Sequence, residues 1–405
     1  MHNAQMRPDA LRWRNTFGYY SLFVCIGLGT AILGPTIPDL ARQTGTTVAR
    51  IGAIIFVGSI GYTGGTLLGG RLFDRLRGHA LLGVAELISA GCLVFFPVTR
   101  WLWLLLALSC CRGVADGMVN TGGNTLLVWT HGEKASPFMN GLHFCFGLGA
   151  VLSPLLVGWL ITLPGGYRWA YWAVAAFDAL AGLSVLAMGG SPDPREHTRR
   201  AREAHGRAGG IAYVPIALSG LYLFAYVGAE ISFGSWVSTY ARELQLATAA
   251  GAAFLASAFW LSFTIGRGIS IAVAIRFTPR QVIPAALTAC LALSAVLILL
   301  PPSSALLWTI AVALGFFMAP LWPSGFTLAG QVVALSAFTS GLVLLGDSFG
   351  GMVLPALTGK VMEWSGGRMS ISLPLLVFGS LAVCLLAYLA LAARGRSAVR
   401  ASTEL

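Results

Sequence analysis

Long apolar runs separated by short polar segments dominate the chain from residue 16 to residue 393. A helix needs about 20 apolar residues to cross the roughly 30 Å hydrocarbon core of a bilayer, and twelve runs reach that length. They cover residues 16–39, 49–72, 79–99, 101–129, 137–162, 168–189, 211–240, 250–275, 280–300, 305–329, 338–361 and 371–393. The pattern predicts an all-α integral membrane protein with twelve transmembrane helices.

A polar segment, residues 191–210, divides the twelve runs into two sets of six. It contains five arginines and three acids, so it is too polar to enter a membrane. We therefore predict an N-terminal six-helix bundle (1–190), a cytoplasmic linker (191–210) and a C-terminal six-helix bundle (211–405). Of the 26 lysines and arginines, most fall in the segments on the side of the termini. The positive-inside rule then places both termini in the cytoplasm.

The two predicted bundles share short sequence patterns at an offset of about 200 residues. The shared residues are Thr63, Gly65 and Arg75 with Thr264, Gly266 and Arg276, and Pro154-x3-Gly158 with Pro355-x3-Gly359. One offset for several matches indicates an internal duplication, and hence two pseudo-symmetric bundles. Such repeats are typical of transporters whose halves move about a central binding site.

Composition excludes several classes of protein. Hydrophobic residues make up 56% of the chain and charged residues 10%, against about 25% charged in soluble domains. The net charge of +11 resides in the gaps between apolar runs, which argues against a nucleic-acid partner. The seven cysteines form no CxxC pattern and have no histidine pair nearby, so we expect no metal site. No hydrolase or protease motif is present, so we expect no catalytic residues and no enzyme.

The segment Gly70-Arg71-Leu72-Phe73-Asp74-Arg75 resembles the loop between helices 2 and 3 of the major facilitator superfamily. The resemblance extends over nearly the whole chain and implies the major facilitator fold. It also implies that Asp74 and Arg75 hold a cytoplasmic gate. Arg77-Gly78-His79 departs from the family pattern of glycine followed by two bases. Arg267, near the cytoplasmic end of the eighth run, is a candidate gate partner.

A narrower resemblance rests on three patterns. These are Asp116-Gly117-x4-Gly122-Gly123-Asn124-Thr125-x3-Trp129, Leu142-His143-Phe144-x-Phe146-Gly147-x-Gly149-Ala150-x3-Pro154, and Tyr226-Val227-Gly228-Ala229-Glu230 with Ser235-Trp236-Val237. They are similar to the branch that holds fucose/proton symporters and sodium-dependent glucose transporter-like proteins. The resemblance implies alternating-access symport of a sugar or sugar-like solute with H+ or Na+, and no other cofactor.

Three other functions stay open at this point. The same fold also supports proton-driven efflux of drugs or amphipathic metabolites, which would need a wide aromatic pocket instead of tight hydroxyl recognition. An intramembrane enzyme and a receptor or scaffold that transports nothing are the others. For the symporter we expect a monomer in a bacterial inner (plasma) membrane, with the bilayer and a small-molecule substrate as its partners.

Ionisable side chains within the apolar runs are the strongest pointers to a functional site. Each costs roughly 2.5 to 3.5 kcal/mol at the centre of a bilayer, so such groups pair with one another or line a pathway. They are Glu86, Arg112, Asp116, His143, Asp178, Glu230, Arg267 and Asp347. Glu86 and Asp178 fall in the third and sixth helices, which are peripheral in the resembled fold. They are therefore weaker candidates for a functional site.

The fourth run carries Arg112, Asp116, Asn120 and Asn124 at intervals of four residues. Four residues turn a helix by about 400°, so each step drifts by only about 40°. We expect a polar stripe that lines a cavity, in which the two asparagines and Asp116 bind solute hydroxyls. The alternative is an Arg112–Asp116 ion pair and two asparagines that serve only helix packing.

Glu230, in the middle of the seventh run, is our main candidate for ion coupling. A carboxyl group in a low-dielectric pocket can take up and release a proton, and the same group could ligate Na+. Asp116, Arg112 and Asp347 are further candidates for this role. A carboxyl group hydrogen-bonded only for packing is the alternative.

Three more residues are candidates for solute binding. His143 falls beside the fourth helix in the resembled fold, where it could bind solute or relay protons, or it could serve only helix contact. Trp236 and Trp260 lie deep within their runs, and an aromatic face can stack on the apolar side of a sugar ring. Pro35, Pro38, Pro320 and Pro323 predict breaks in the first and tenth helices.

Overall fold

The computed structural model describes residues 8–73, 75–131, 135–191, 213–332, 337–364 and 369–403. These residues are almost entirely helical, with one short 3-10 turn at Phe96–Val98. The helices of the first half are Pro8–Ala31, Leu33–Thr44, Val48–Ile51, Ala53–Phe73, Gly78–Phe95, Leu102–His131, Ala135–Leu160 and Arg168–Leu186. Those of the second half are Tyr213–Glu243, Ala249–Arg276, Pro279–Leu299, Ser304–Met318, Leu321–Val332, Ala337–Trp364 and Met369–Thr403.

Eleven helical segments among the described residues are long and apolar enough to cross a membrane, and a bent pair at the start of the chain makes twelve. The predicted count and positions of the spans are therefore confirmed. We number the spans one to twelve in chain order. Large apolar side chains stay exposed along their outer faces, for example Leu299 at 79% and Trp159 at 72%. Such surfaces require a lipid environment.

Two spans are interrupted where prolines were expected to break them. The first span bends by 50° between its two helices, Ala10–Ala31 and Leu33–Thr44. Pro35 cannot donate to the carbonyl of Ala31, and its ring crowds that turn. The Thr36 hydroxyl donates to the Ile32 carbonyl at 2.8 Å, which satisfies one backbone group at the break. The tenth span is interrupted at residues 319–320, ahead of Pro323.

Contacts within the chain define two compact units. The first unit comprises Met1–Thr46 and Val57–Arg207, and the second comprises Thr47–Phe56 and Ala208–Leu405. The beginning of the second span, residues 47–56, thus groups with the second unit. Residues 192–212, which contain nearly all of the predicted linker, lie outside the described residues.

Glycines bring helix pairs into backbone contact at equivalent places in the two units. In the first unit, a Cβ at Gly149 in the fifth span would lie 2.1 Å from the Val24 carbonyl oxygen in the first. In the second unit, a Cβ at Gly350 in the eleventh span would lie 2.1 Å from the Phe224 carbonyl oxygen in the seventh. Small residues permit such approach between membrane helices. The repeated contact agrees with the duplication inferred from sequence.

The first unit encloses an apolar core to which its first, third, fourth and sixth spans all contribute. Fully buried members include Leu22, Leu82, Val119 and Val185. Its members Ala115 and Val119 flank the buried Asp116 described below, so that acid lies in a water-poor environment.

The close approach at Gly149 yields a stability prediction. Gly149→Ala should lower the midpoint of thermal unfolding in detergent, because the added methyl overlaps the Val24 carbonyl, and overpacking costs about 1 to 3 kcal/mol. Gly379→Ala is the matched control: nothing lies within 4 Å of a Cβ at Gly379, and alanine favours a helix over glycine by about 1 kcal/mol. Equal midpoints for both variants would contradict the packing described here.

Candidate functional site

A buried ion pair on the fourth span is the centre of the polar groups in the first unit. Arg112 Nη2 lies 2.6 Å from Asp116 Oδ2, and both residues are at most 7% exposed. Ser89 of the third span donates to Asp116 Oδ1 at 2.9 Å. A Cβ at Gly29 in the first span would lie 2.0 Å from Arg112 Nη2, so glycine leaves room for the guanidinium. The Arg112–Asp116 ion pair that the sequence offered as the alternative is therefore present.

The rest of the predicted stripe faces a different environment. Asn120 and Asn124 are half-buried, whereas Arg112 and Asp116 are buried. Asn124 Nδ2 donates to the Asn120 backbone carbonyl at 2.8 Å and to its Oδ1 at 3.3 Å. The physical reason is the helical drift: three steps of about 40° turn the row by about 120°. Arg112 and Asp116 are therefore enclosed, whereas Asn120 and Asn124 keep part of their side chains accessible.

Two acids of the second unit lie around one arginine. Glu230 of the seventh span is buried, and the charges acting on it are those of Arg267 in the eighth span and Asp347 in the eleventh. Tyr226, one turn earlier, donates its hydroxyl to the Met318 carbonyl at 2.8 Å. Glu230 and Asp347, both proposed for coupling, thus fall in one constellation.

Arg267 is the basic residue that acts on both Glu230 and Asp347. Its guanidinium carbon lies 4.5 Å from the centre of the Phe263 ring, a cation–π arrangement, and its Nε is buried without a hydrogen-bond partner among the described residues. Arg267 was assigned from sequence to the gate. Arg75, the other described gate residue, is exposed, and Asp74 lies outside the described residues.

Trp322, a third tryptophan deep within its span, contacts one of the two acids, Asp347. Its Nε1 donates to Asp347 Oδ1 at 2.9 Å, and its ring stacks on Phe326 at 5.5 Å. Trp322 and Asp347 are both half-buried, so part of each side chain is accessible. The position of Trp322 after a proline break is a sequence signal for this contact. That signal does not distinguish the Trp322 indole from the other deep tryptophans.

Trp236 and Trp260, the tryptophans predicted to stack on solute, are enclosed by protein. Trp236 is fully buried, its Nε1 donates to the Pro355 carbonyl at 2.8 Å, and it packs against Gly359. Trp260 is 3% exposed and packs edge-on against Phe259 and Phe263. Neither ring offers an accessible face for a sugar in this structure.

The histidines fall in two different settings. His143 is exposed on the fifth span, with its ring edge-on to Phe23 at a centroid distance of 5.8 Å. His79, read from sequence only as part of a loop pattern, is buried at the start of the third span. Its Nε2 lies 2.8 Å from the Tyr19 hydroxyl, and its Nδ1 lies 3.3 Å from the Met188 carbonyl oxygen.

Glu86 and Asp178, of which sequence led us to expect little, meet inside the first unit. Each is 1% exposed, and one carboxylate oxygen from each lies with Cys25 Sγ in a group whose members are within 4.8 Å of one another. Their positions in separate spans give no sequence signal for this meeting beyond a shared mid-span depth.

Comparison with known proteins identifies the family. A model of the Major Facilitator Superfamily matches residues 19–355. Sodium-dependent glucose transporter 1 of Xenopus laevis is 31% identical over 360 residues, which cover 82% of this chain and 72% of that protein. The Danio rerio protein of the same name is 29% identical over 385 residues and covers 87% of this chain, but this chain spans only 65% of its length.

Solved structures share the fold at low sequence identity. A D-xylose-proton symporter has a TM-score of 0.72 at 12% identity, with 92% of this chain and 97% of the other covered. The nucleoside transporter NupG has a TM-score of 0.71 at 15% identity, with 95% and 98% covered. With the helical arrangement and the match over most of its length, the chain belongs to the Major Facilitator Superfamily, a family of membrane transporters and not of enzymes.

Proposed function

We propose that this transporter takes up a small polar solute, a sugar or a sugar-like compound, together with H+ or Na+. The observation that carries the proposal is the pair of half-buried asparagines on the fourth span. Within the described residues, Asn120 Nδ2 and Asn124 Oδ1 make no further hydrogen bond. One amide donor and one amide acceptor on the same helix match two neighbouring hydroxyls of a sugar, each of which donates and accepts.

The relatives support the same substrate class. Those reported above are called sodium-dependent glucose transporters in a frog and a fish, and a structural neighbour is a D-xylose-proton symporter. The name of a relative at about 30% identity suggests a sugar as the substrate. Both H+ and Na+ stay candidates for the coupling ion.

Glu230 is the residue we propose for coupling in the second unit. It is buried near a single guanidinium and a second acid, Asp347. Two acids against one base leave a negative charge in a medium where charge is expensive. Binding of H+ or Na+ would remove that charge. A loaded carrier without net buried charge can then change its exposure by alternating access.

The amide pair yields a prediction for solute affinity. Asn124→Ala should weaken binding of the transported sugar about 2- to 10-fold, since one neutral hydrogen bond contributes about 0.5 to 1.5 kcal/mol. Thr309→Val is the control, because that exposed hydroxyl bonds only to the Ala305 carbonyl of its own helix. The measurement is a thermal-shift titration of purified protein with sugars. Parental affinity in Asn124→Ala would favour a packing role for the asparagines.

The coupling proposal predicts a separation of two transport modes. In proteoliposomes, Glu230→Gln should abolish accumulation driven by an ion gradient, because the amide can neither take up a proton nor supply an anionic ligand. Counterflow exchange should persist, since it needs no net ion movement. Glu243→Gln, at the exposed end of the same helix, should retain both modes. Undiminished driven uptake in Glu230→Gln would remove this residue from the coupling role.

We also propose that both termini are cytoplasmic, that the protein acts as a monomer, and that it resides in a bacterial inner (plasma) membrane. The excess of basic residues in the terminal-side segments supports the orientation. A fluorescent-protein fusion at Leu405 should fluoresce in a bacterial host, and an alkaline phosphatase fusion at the same residue should be inactive. The reverse result would invert the orientation.

A further inference from the structure

Three spans of the first unit direct acidic or thiol groups into one buried cluster, which we call the Glu86–Asp178 cluster. It consists of Cys25 on the first span, Glu86 on the third and Asp178 on the sixth. One ligand atom from each lies within 4.8 Å of the other two, and each residue is 1% exposed. Gly182 packs beside Glu86, where a Cβ would lie 3.2 Å from the Glu86 Cβ.

The carboxylates of this cluster lack strong hydrogen-bond donors. Among the described residues, neither oxygen of Asp178 has a hydrogen-bond partner, nor has Oε2 of Glu86. A buried polar atom without a partner costs about 1 to 3 kcal/mol, and more when it is charged. Three carboxylate oxygens in one apolar core thus lack a donor, and a positively charged group bound among them would compensate them.

Nearby charge does not compensate the two acids. Asp116 and Arg112 are the neighbouring charged groups, both on the fourth span. They already pair with each other at 2.6 Å, and Asp116 also accepts from Ser89. Counted together, Glu86, Asp116 and Asp178 oppose one arginine. If both are ionised, Glu86 and Asp178 therefore carry negative charge that a bound cation or a proton would have to neutralise.

The absence of a hydrogen bond between the two carboxyl groups favours a metal cation over a shared proton. Two carboxyl groups that share a proton approach to about 2.5 to 2.7 Å between oxygens, and Glu86 and Asp178 form no such bond. A hard cation of the size of Ca2+ takes its oxygen ligands at about 2.3 to 2.6 Å, so two ligands on opposite sides of it are about 5 Å apart. Ligand atoms no more than 4.8 Å apart can bind one such cation.

We propose that the Glu86–Asp178 cluster binds Na+ through the carboxylate oxygens of Glu86 and Asp178. The site is separate from Glu230, which belongs to the second unit. The proposal deepens the proposed function and rests on it for the use of the bound ion in transport. Binding itself needs no sugar.

The chemistry of the ligand atoms determines which cation the Glu86–Asp178 cluster favours. Carboxylate oxygens are hard ligands, which suit Na+, Mg2+ and Ca2+, whereas a thiol prefers soft metals. Mg2+ demands six near-octahedral ligands and keeps its water, and Ca2+ takes six to eight oxygens. Two carboxylates in an apolar core supply four oxygens at most, and a monovalent ion loses far less hydration energy than a divalent one on entering such a site. Cys25 then stays a neutral thiol, a weak donor toward the carboxylates.

The test is direct binding of radiolabelled Na+ to the purified full-length protein in detergent, without sugar. The parent protein should bind Na+ saturably, and K+ or choline should compete poorly. Asp178→Asn and Glu86→Gln should each weaken Na+ binding by at least the 10- to 100-fold that loss of a supporting group costs a metal site. Glu363→Gln, at an exposed acid of the second unit, should bind like the parent.

Cys25 distinguishes a hard from a soft metal. Cys25→Ser should retain Na+ binding, because the carboxylate ligands remain. Loss of Na+ binding in Cys25→Ser, or saturable binding of Cd2+ or Ca2+ in place of Na+, would overturn the assignment. Thermal unfolding in choline buffer checks the folding of each variant. If Asp178→Asn does not fold, Glu86→Gln and Cys25→Ser decide the question.

Other outcomes separate this inference from the proposed function. No Na+ binding by the parent, together with sugar uptake that follows pH, overturns the Na+ site and leaves a proton symporter. A pH-dependent stability that vanishes in Glu86→Gln without any Na+ effect also overturns it; the charged or titratable groups facing Glu86 are then Asp178, Cys25, Asp116 and Arg112. Na+ binding that requires Glu86 and Asp178, without sugar transport, supports the site and rejects the sugar symporter.

Discussion

Compensation of buried charge inside each unit is the constraint on which the polar architecture depends. Lipid offers no counter-charge to a carboxylate within a span, so compensation must come from the protein itself or from a bound cation or proton. Among the described residues of the spans, Arg112 meets Asp116 in the first unit, and Arg267 acts on Glu230 and Asp347 in the second. In both units the acids within the spans outnumber the arginines that act on them. This excess of negative charge is the reason we propose that the protein binds cations.

Glycine contacts give these charge clusters their fixed geometry. Backbones that touch at Gly149 and Gly350 hold the first span to the fifth and the seventh to the eleventh. Rigid helix pairs of this kind keep the side chains between them at set distances, and a metal or solute site needs that precision. The same device in both units follows from the duplicated sequence.

Sequence alone predicts the parts of this molecule that depend on local composition. Hydropathy and proline positions locate the twelve spans and the breaks in the first and tenth, since a membrane constrains each run by itself. The i, i+4 spacing predicts the Arg112–Asp116 pair for the same reason. The rotation of each helix about its axis is set by tertiary packing. Sequence therefore could not show that Asp178 meets Glu86, or that Trp322, unlike the enclosed Trp236, reaches an acid.

The bend in the first span lies one helical turn from Gly29, whose backbone contacts the Arg112 guanidinium. Straightening of that helix would shift the backbone beside Gly29 and so alter the surroundings of the charge. Conversely, a change in the charge around Arg112 would alter the electrostatic force on the first span next to its bend. The bend angle of the first span and the charge around Arg112 are in this way coupled within a single turn of one helix.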